Sequence, residues 1–253
     1  MKLRTRLIIM LLIPILTLSF FAQYEMRQTM NSVAETDRMH KLIQFTSKFS
    51  SMVHELQKER GLSTGHLGSS DDGFATELSK QHKLSDLKIS ELKLSLNDFD
   101  VSAFGEIFPT KLDNALRDLA QIEQKRQVIL KREISYIDTL DFYTETLNEQ
   151  FLDLIVELAK LSSISHSGKF NAFANFFQSK ELAGIERAII SNVLAKGQFS
   201  KDTYKRFTNL IYNQETYSKI FSNLANYDQK RFLDEIMDDP IFSEVARMRS
   251  LIL

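Results

Sequence analysis

An apolar stripe with helical spacing constrains the fold of this chain more than any other feature. Between residues 136 and 161, large apolar side chains recur at steps of three or four residues: Tyr136, Leu140, Tyr143, Leu147, Phe151, Leu154, Leu158 and Leu161. Such steps place side chains on one face of an α-helix, whereas a half-buried strand alternates every second residue. An apolar face of this length needs other helices to cover it, so the stripe predicts a helix bundle.

The rest of the chain also indicates an all-α fold. Only 8 Gly and 3 Pro occur in 253 residues, and no useful stretch alternates as a strand does. Further helices are predicted over 25–60, 74–96, 110–130 and 169–196, after an N-cap at Ser200, and on either side of Asp239-Pro240. A glycine-rich stretch over 61–73 is expected to end the first of them. The predicted architecture is long antiparallel helices in up-and-down four-helix bundles.

The N-terminus predicts a membrane segment. Lys2, Arg4 and Arg6 precede an apolar run over residues 7–22, and basic residues before such a run place its start on the cytoplasmic side. A cleaved signal peptide is the alternative, although Phe20 does not suit a cleavage site after residue 22. The interpretation is a transmembrane anchor over 1–24 and an extracytoplasmic domain over 25–253, in the inner membrane with its bulk in the periplasm.

Composition and motifs argue against an enzyme and against several kinds of binding. The chain lacks Cys, its five His are scattered singly, and no phosphate-binding loop or metal-ligand spacing occurs. No catalytic residue, cofactor or metal is therefore predicted. Basic and acidic residues number 32 and 33, so the chain has no excess of positive charge that would attract nucleic acid. No nucleic-acid partner is therefore expected.

Arg60 interrupts an otherwise apolar helical face. Phe45, Phe49, Val53 and Leu56 follow one another at helical steps, and four residues later the same face carries Arg60. A buried guanidinium needs an anion or hydrogen-bond acceptors, because burying it bare costs several kcal/mol or more. A small planar oxyanion fits the flat fork of donors that arginine presents.

Two more arginines stand on apolar faces. Arg126 interrupts the series Leu112, Ala115, Leu119, Ile122 and Ile129, and Arg187 lies on one of two apolar faces of the helix over 169–196. Together with Arg60 they suggest a shared positive pocket. Such side chains can also lie at the edge of a core and extend to water, or pair with acidic residues such as Glu59 and Glu186. Each of these glutamates precedes an arginine by one position and is turned about 100° away from it.

Two separated motifs resemble the bacterial nitrate- and nitrite-sensing domain family. The first is Leu56-Gln-Lys-Glu-Arg-Gly-Leu-Ser63, followed by Leu67-Gly-Ser, and the second is Lys180-Glu-Leu-Ala-Gly-Ile-Glu-Arg-Ala-Ile-Ile-Ser191, followed by Gly197-Gln-Phe199. Between them, Phe142-Tyr-Thr-Glu-Thr-Leu-Asn148 resembles a third family segment, shifted by one residue. The resemblance covers roughly residues 45–224.

The resemblance implies an all-helical extracytoplasmic sensor of a signalling receptor, as in chemotaxis, although some family members are transcription antiterminators. It implies nitrate or nitrite as the ligand, with Arg60 and Arg187 at the motif arginines and Arg126 as a third binding residue. Homodimers and a cytoplasmic or membrane signalling partner are also expected. No output segment follows the sensor, so a fragment and a stand-alone anchored sensor both stay open. The alternative function is a membrane-anchored helical protein-interaction module without a small ligand.

Overall fold

The computed structural model describes residues 3–69, 73–97, 99–160 and 164–252, without the side chains of 3–20, of 159–170 and of a few further helical positions. Within these ranges the α-helices are α1 (Leu3–Gly68), α2 (Gly73–Asn97), α3 (Ile107–Leu119), α4 (Ile122–Leu130), α5 (Tyr136–Asp141), α6 (Glu149–Lys160), α7 (Ile164–Lys196), α8 (Lys201–Leu224), α9 (Tyr227–Met237) and α10 (Pro240–Ile252). A 3₁₀ turn covers Val101–Phe104, and a π-helical segment covers Phe142–Asn148. These ranges hold no strand, so the all-α prediction is confirmed.

The chain divides into two compact units, residues 1–44 and 45–253. In the first unit the described side chains from 21 to 41 are exposed. Among the residues described, we find no helix with both the length and the apolarity that crossing a bilayer requires. The predicted transmembrane anchor over 1–24 is therefore unsupported, and most of its side chains lie outside the description.

The helix α1 continues beyond its predicted end. Helical backbone runs through Gly61 and Gly65 to Gly68, so the prediction that glycine ends the helix near residue 60 is wrong. A Cβ atom on Gly65 would lie 2.5 Å from the Phe74 ring of α2. Glycine here lets a neighbouring helix approach closely, and the helix itself is not interrupted. Residues 70–72 of the predicted polar turn lie outside the description.

The stripe that predicted the bundle is buried along most of its length. Leu140, Tyr143, Leu147, Phe151, Leu154 and Leu158 are each fully enclosed. Leu161 lies outside the described residues. The predicted single helix is divided into α5, the π-helical segment and α6, yet its apolar face stays continuous.

The face that carries Arg126 is also buried, although α3 ends at Leu119 and α4 starts at Ile122, so two helices share it. Two other periodicity predictions were less accurate. In α2, Leu84, Leu87 and Leu94 are exposed, and Gln81 and Ser85 are buried together with Leu78 and Leu92, so leucine spacing does not mark the buried face. In α7 the face with Ala183 and Arg187 is exposed. The prediction that other helices cover α7 on two opposite faces is therefore wrong.

Two apolar clusters form part of the core of the unit over residues 45–253. Aromatic rings form the first, in which Phe45 stacks on Phe99 at 3.9 Å between ring centroids and Phe49 lies against Phe151 at 5.6 Å. The second joins α5, α7 and α8 through Leu140, Ile185, Ala188, Ile189, Val193, Phe207, Leu210 and Ile211. Polar side chains of α1, the π-helical segment and α7 meet one another within this unit.

Candidate functional site

The Arg60 side chain of α1 is enclosed, with 0% of its surface exposed. Its Nη1 donates to the Thr144 hydroxyl at 2.9 Å and to the Glu181 carboxylate. Its Nε and Nη2 atoms are buried and have no hydrogen-bond partner in the described part of the chain. Leaving such donors unsatisfied away from water is unfavourable, so one edge of this guanidinium is available for an acceptor.

Glu181 of α7 is a carboxylate held in place by several donors. Its Oε2 accepts from Gln57 Nε2 at 2.5 Å, and its Oε1 accepts from Arg60 and, at 3.5 Å, from Asn148 Nδ2. Only 2% of Glu181 is exposed. Thr144 and Asn148 both belong to the π-helical segment, which therefore contacts the Arg60–Glu181 pair twice.

Two glycines allow α1 and α7 to approach each other at the arginines. A Cβ atom on Gly184 would lie 2.6 Å from Arg60 Nη2, which is closer than real Cβ contacts come. On the opposite helix, a Cβ atom on Gly61 would lie 3.9 Å from Arg187 Nε, an ordinary contact. The unpaired edge of Arg60 and the Arg187 side chain therefore border the same narrow region between the two helices.

Arg187 is partly exposed and forms no ion pair with any described residue. The burial of part of its side chain lowers the pKa of its guanidinium, and the positive charge of Arg60 lowers it further. Glu181 acts in the opposite direction. The two guanidinium groups thus repel each other across the gap, and an anion between them would relieve that repulsion.

Further basic groups surround this gap. Burial lowers the pKa of Lys180; Glu181 opposes that shift, and the charge of Arg187 adds to it. Burial and the charge of Lys180 also lower the pKa of His54, so this imidazole is neutral near pH 7. The electrostatic environment of the gap is therefore positive on its Lys180 flank.

Arg126 belongs to a separate network. Its Nε and Nη2 donate to the two carboxylate oxygens of Glu59 at 2.8 and 2.9 Å, and its Nη1 donates to Asp86 at 2.6 Å. The Tyr143 hydroxyl donates to Glu59 at 2.6 Å. Burial alone would lower the pKa of Arg126, but the hydrogen bonds and charge of Glu59 raise it. The protein itself neutralises this arginine, so the structure brings Arg60 and Arg187 together but does not add Arg126 to them.

Neither glutamate next to a motif arginine pairs with that arginine. Glu59 binds Arg126, and Glu186 accepts from Arg249 Nε at 2.7 Å and from Arg249 Nη2 at 2.5 Å. The geometric argument that these glutamates turn away from Arg60 and Arg187 is therefore confirmed. Among the described residues, internal Arg–Glu pairing accounts for Arg126 and leaves part of Arg60 and all of Arg187 without a pair.

Sequence reasoning missed four residues of the arrangement: Gln57, Thr144, Asn148 and Glu181. One signal was spacing, since Gln57 precedes Arg60 by three positions on α1 and Glu181 precedes Gly184 by three positions on α7. Thr144 and Asn148 lie in the segment that already resembled the family. Nothing in the sequence showed that Glu181 would reach Arg60, 121 positions away.

Arg60 is not accessible to solvent, because none of its side-chain surface is exposed. Two surface clefts lie elsewhere, one lined by α8 residues such as Arg206 and the other lined by α3 and α6 residues such as Arg117 and Asp153. Neither is bordered by Arg60 or Arg187. An anion that reaches Arg60 must therefore displace side chains or shift the helices.

Comparison with known protein families identifies the family of this chain. Residues 51–253 match the nitrate and nitrite sensing family. The chain belongs to this family. The resemblance inferred from the two motifs is thus confirmed, and the match extends beyond residue 224, the end inferred from the motifs.

Two similar proteins have known roles or structures. The chain is similar to the nitrate regulatory protein of Klebsiella oxytoca, with 26% identity over 205 residues that cover 79% of this chain and 51% of the relative. It is also similar to the solved structure of the NasR transcription antiterminator, with a TM-score of 0.70, 25% identity, and coverage of 82% of this chain and 59% of that one. The chain thus spans about half the length of the curated relative that it matches.

The comparisons contradict several predictions made from the sequence. A regulatory protein and a transcription antiterminator are not membrane receptors, so the predicted periplasmic receptor of the inner membrane, its chemotaxis role and its membrane-anchored alternative are wrong. The expected absence of a nucleic-acid partner is contradicted as well, since antitermination acts on transcription. One physical reason is length: the apolar run over 7–22 is shorter than the roughly 20 residues that a membrane-spanning helix needs.

Proposed function

We propose that this chain is a non-enzymatic sensory domain that binds nitrate or nitrite between α1 and α7. Arg60 and Arg187 are the proposed ligand-binding residues. The names of the two relatives support its place in a regulator of transcription that responds to nitrate. Because the chain spans about half of the curated relative, the output of the whole protein is part of the proposal.

The observation that carries this proposal is the unpaired edge of Arg60. Its Nε and Nη2 are enclosed without an acceptor, while Arg187, which has no ion pair within the described part of the chain, faces the same gap. Nitrate and nitrite are planar, singly charged and accept hydrogen bonds only. A guanidinium presents parallel N–H groups that match two oxygens of such an anion.

The enclosure of Arg60 suggests how binding is converted into a structural change. Two unit charges about 6 Å apart repel by roughly 2.8 kcal/mol at an effective dielectric constant of about 20, before the exposure of Arg187 reduces this value. An entering anion removes that repulsion and needs room beside Gly184. Binding and a shift of α7 against α1 would therefore occur together, with a coupling of the size typical for allosteric proteins.

The proposed arrangement around the site is up-and-down four-helix bundles. In support of this, the turn that contains Gly197 joins α7 to α8, the Ser200 hydroxyl caps α8 at Thr203 N, and the two helices share one apolar cluster. Antiparallel neighbours joined by short turns are typical of such bundles.

Calorimetry on the full chain tests the ligand assignment. Nitrate and nitrite should each release or absorb heat with the wild type and raise its melting temperature. In Arg187→Ala that signal should be lost, whereas Arg117→Ala, which removes an exposed arginine of α3, should leave it unchanged. Arg60→Lys keeps the buried positive charge but loses the parallel N–H groups of the guanidinium, so it should weaken nitrate binding. Unaltered nitrate binding in Arg187→Ala, or no binding in the wild type, would refute the assignment.

A further inference from the structure

The Glu181 carboxylate is fixed on one edge of the Arg60 guanidinium. Arg60 Nη1, Gln57 Nε2 and Asn148 Nδ2 all donate to it, and only 2% of the residue is exposed. Donors hold both of its oxygens, so the carboxylate cannot leave without breaking hydrogen bonds on α1 and on the π-helical segment. The hydrogen bonds thus fix the position of the Glu181 carboxylate beside the gap.

The charges around the gap are unevenly matched. Glu181 compensates Arg60, while Arg187 has no ion pair within the described residues. Lys180 adds a positive charge on the flank, where its Nζ lies 5.8 Å from the centre of the Phe177 ring. The uncompensated charge next to the free edge of Arg60 is therefore mainly that of Arg187.

We propose that Glu181 is a specificity-determining residue of this site, whose carboxylate restricts the site to singly charged oxyanions. This inference rests on the proposed function. A single negative charge can bridge the free edge of Arg60 and the guanidinium of Arg187. A dianion such as sulfate brings a second charge, which the fixed carboxylate repels across one guanidinium.

The substitution Glu181→Gln removes the negative charge of the side chain and keeps its shape. The amide oxygen of the new side chain can still accept from Arg60 Nη1, and the Gln57 amide can turn so that its oxygen accepts from the new NH₂ group. Glu186→Gln is the matched control, since it makes the same charge change on the same helix. The Glu186 carboxylate binds Arg249 and Gln214 instead of the arginine pair.

The experiment is calorimetry on the full chain with sodium nitrate and with sodium sulfate at constant ionic strength. Wild type and Glu186→Gln should bind nitrate and show no sulfate binding. Glu181→Gln should bind nitrate more tightly by roughly tenfold, because a repulsion of only about 1.4 kcal/mol changes affinity by that factor. It should also acquire measurable sulfate binding.

The outcomes separate the two proposals. If Glu181→Gln still binds nitrate but gains neither affinity nor sulfate, or if Glu186→Gln gains both equally, the role of Glu181 is refuted and nitrate sensing stands. If the wild type binds neither nitrate nor nitrite, the proposed function fails and this inference fails with it.

A measurement on the wild type covers the case in which Glu181→Gln does not fold. Sulfate in large excess should not displace nitrate from the wild-type chain, whereas nitrite should. Displacement by sulfate at concentrations similar to nitrite would overturn the inference without any variant.

Discussion

At the scale of single residues, the two buried arginines of the core differ in what surrounds them. Arg126 has three acidic neighbours and donates to both oxygens of Glu59. Arg60 pairs with one carboxylate, and two of its nitrogen atoms have no hydrogen-bond partner among the described residues. Both are enclosed to a similar extent, so burial alone does not mark a binding residue. The supply of acceptors separates a structural arginine from a candidate ligand-binding one.

The glycine beside Arg60 yields a paired prediction. In Gly184→Ala the new methyl group would lie 2.6 Å from Arg60 Nη2, so the Arg60 guanidinium must move. Nitrate affinity should fall by roughly tenfold or more, since a charge-assisted hydrogen bond contributes about 1.5–3 kcal/mol. Gly61→Ala meets Arg187 Nε only at 3.9 Å and removes a glycine from a helix. It should keep nitrate binding and raise the free energy of unfolding by about 0.5–1 kcal/mol.

Titration calorimetry and urea unfolding of both glycine variants check this pair. Equal nitrate affinity in Gly184→Ala and the wild type would show that Arg60 Nη2 does not take part in binding.

The Glu59–Arg126 pair predicts how stability depends on pH. Burial would raise the pKa of Glu59, but hydrogen bonds and the charge of Arg126 hold it below its ordinary value of 4.5. A carboxylate with a lowered folded-state pKa stabilises the protein above pH 4.5, and this contribution is lost as the pH falls through the folded-state pKa. Glu59→Gln should lower the free energy of unfolding by about 3 kcal/mol at pH 7 and make its decline in acid less steep.

Urea unfolding between pH 3 and pH 7 measures both effects, with the exposed Glu77→Gln as a control that should resemble the wild type. A decline in acid that is equally steep in Glu59→Gln and the wild type would contradict this account of the buried pair.

At the scale of helices, the π-helical segment and α10 differ in how many contacts hold them to the rest of the molecule. The π-helical segment contacts both arginine networks, through Tyr143 to Glu59 and through Thr144 to Arg60.

The C-terminal helix α10 has no buried residue and depends on few contacts. Arg249 binds Glu186 and Gln214, and Ile252 packs against the cluster shared by α7 and α8. Helices attached through so few contacts open locally more often than the core does.

Arg249→Ala should therefore release α10. The amide hydrogens of residues 240–252 should exchange faster with solvent, while those of α7 near Glu186 change less. Arg247→Ala is the matched control, because among the described side chains Arg247 pairs with Glu244 of the same helix and with no residue of another helix. Hydrogen exchange followed by mass spectrometry gives the comparison, and equal exchange of α10 in the two variants would show that Arg249 does not hold it.

At the scale of the whole molecule, the chain matches part of a longer kind of protein. It covers 51% of the nitrate regulatory protein and 59% of the NasR chain. A sensory part can act only if its change reaches the output part, so the ligand response should be transferable between relatives that share the fold.

A chimaera tests this transfer. This chain in place of the matching region of the Klebsiella oxytoca protein should keep transcription dependent on nitrate in a reporter assay. The same chimaera with Arg187→Ala should lose the response, whereas Arg117→Ala should retain it. A response to nitrate that persists with Arg187→Ala would place the sensing step elsewhere.

The sequence by itself determined the all-α class, the buried stripe from Leu140 to Leu158 and the placement of Arg60 and Arg126 on buried faces, because helical periodicity and an isolated charge on an apolar face are local properties. It did not determine which carboxylate meets which arginine. The Glu59–Arg126 and Arg60–Glu181 contacts join positions 67 and 121 residues apart, so only the packing of α1 against α4 and α7 could decide them. Tertiary structure also placed Gly184 against Arg60 and left Arg187 without a partner in the described chain, because these outcomes depend on the distance between helices.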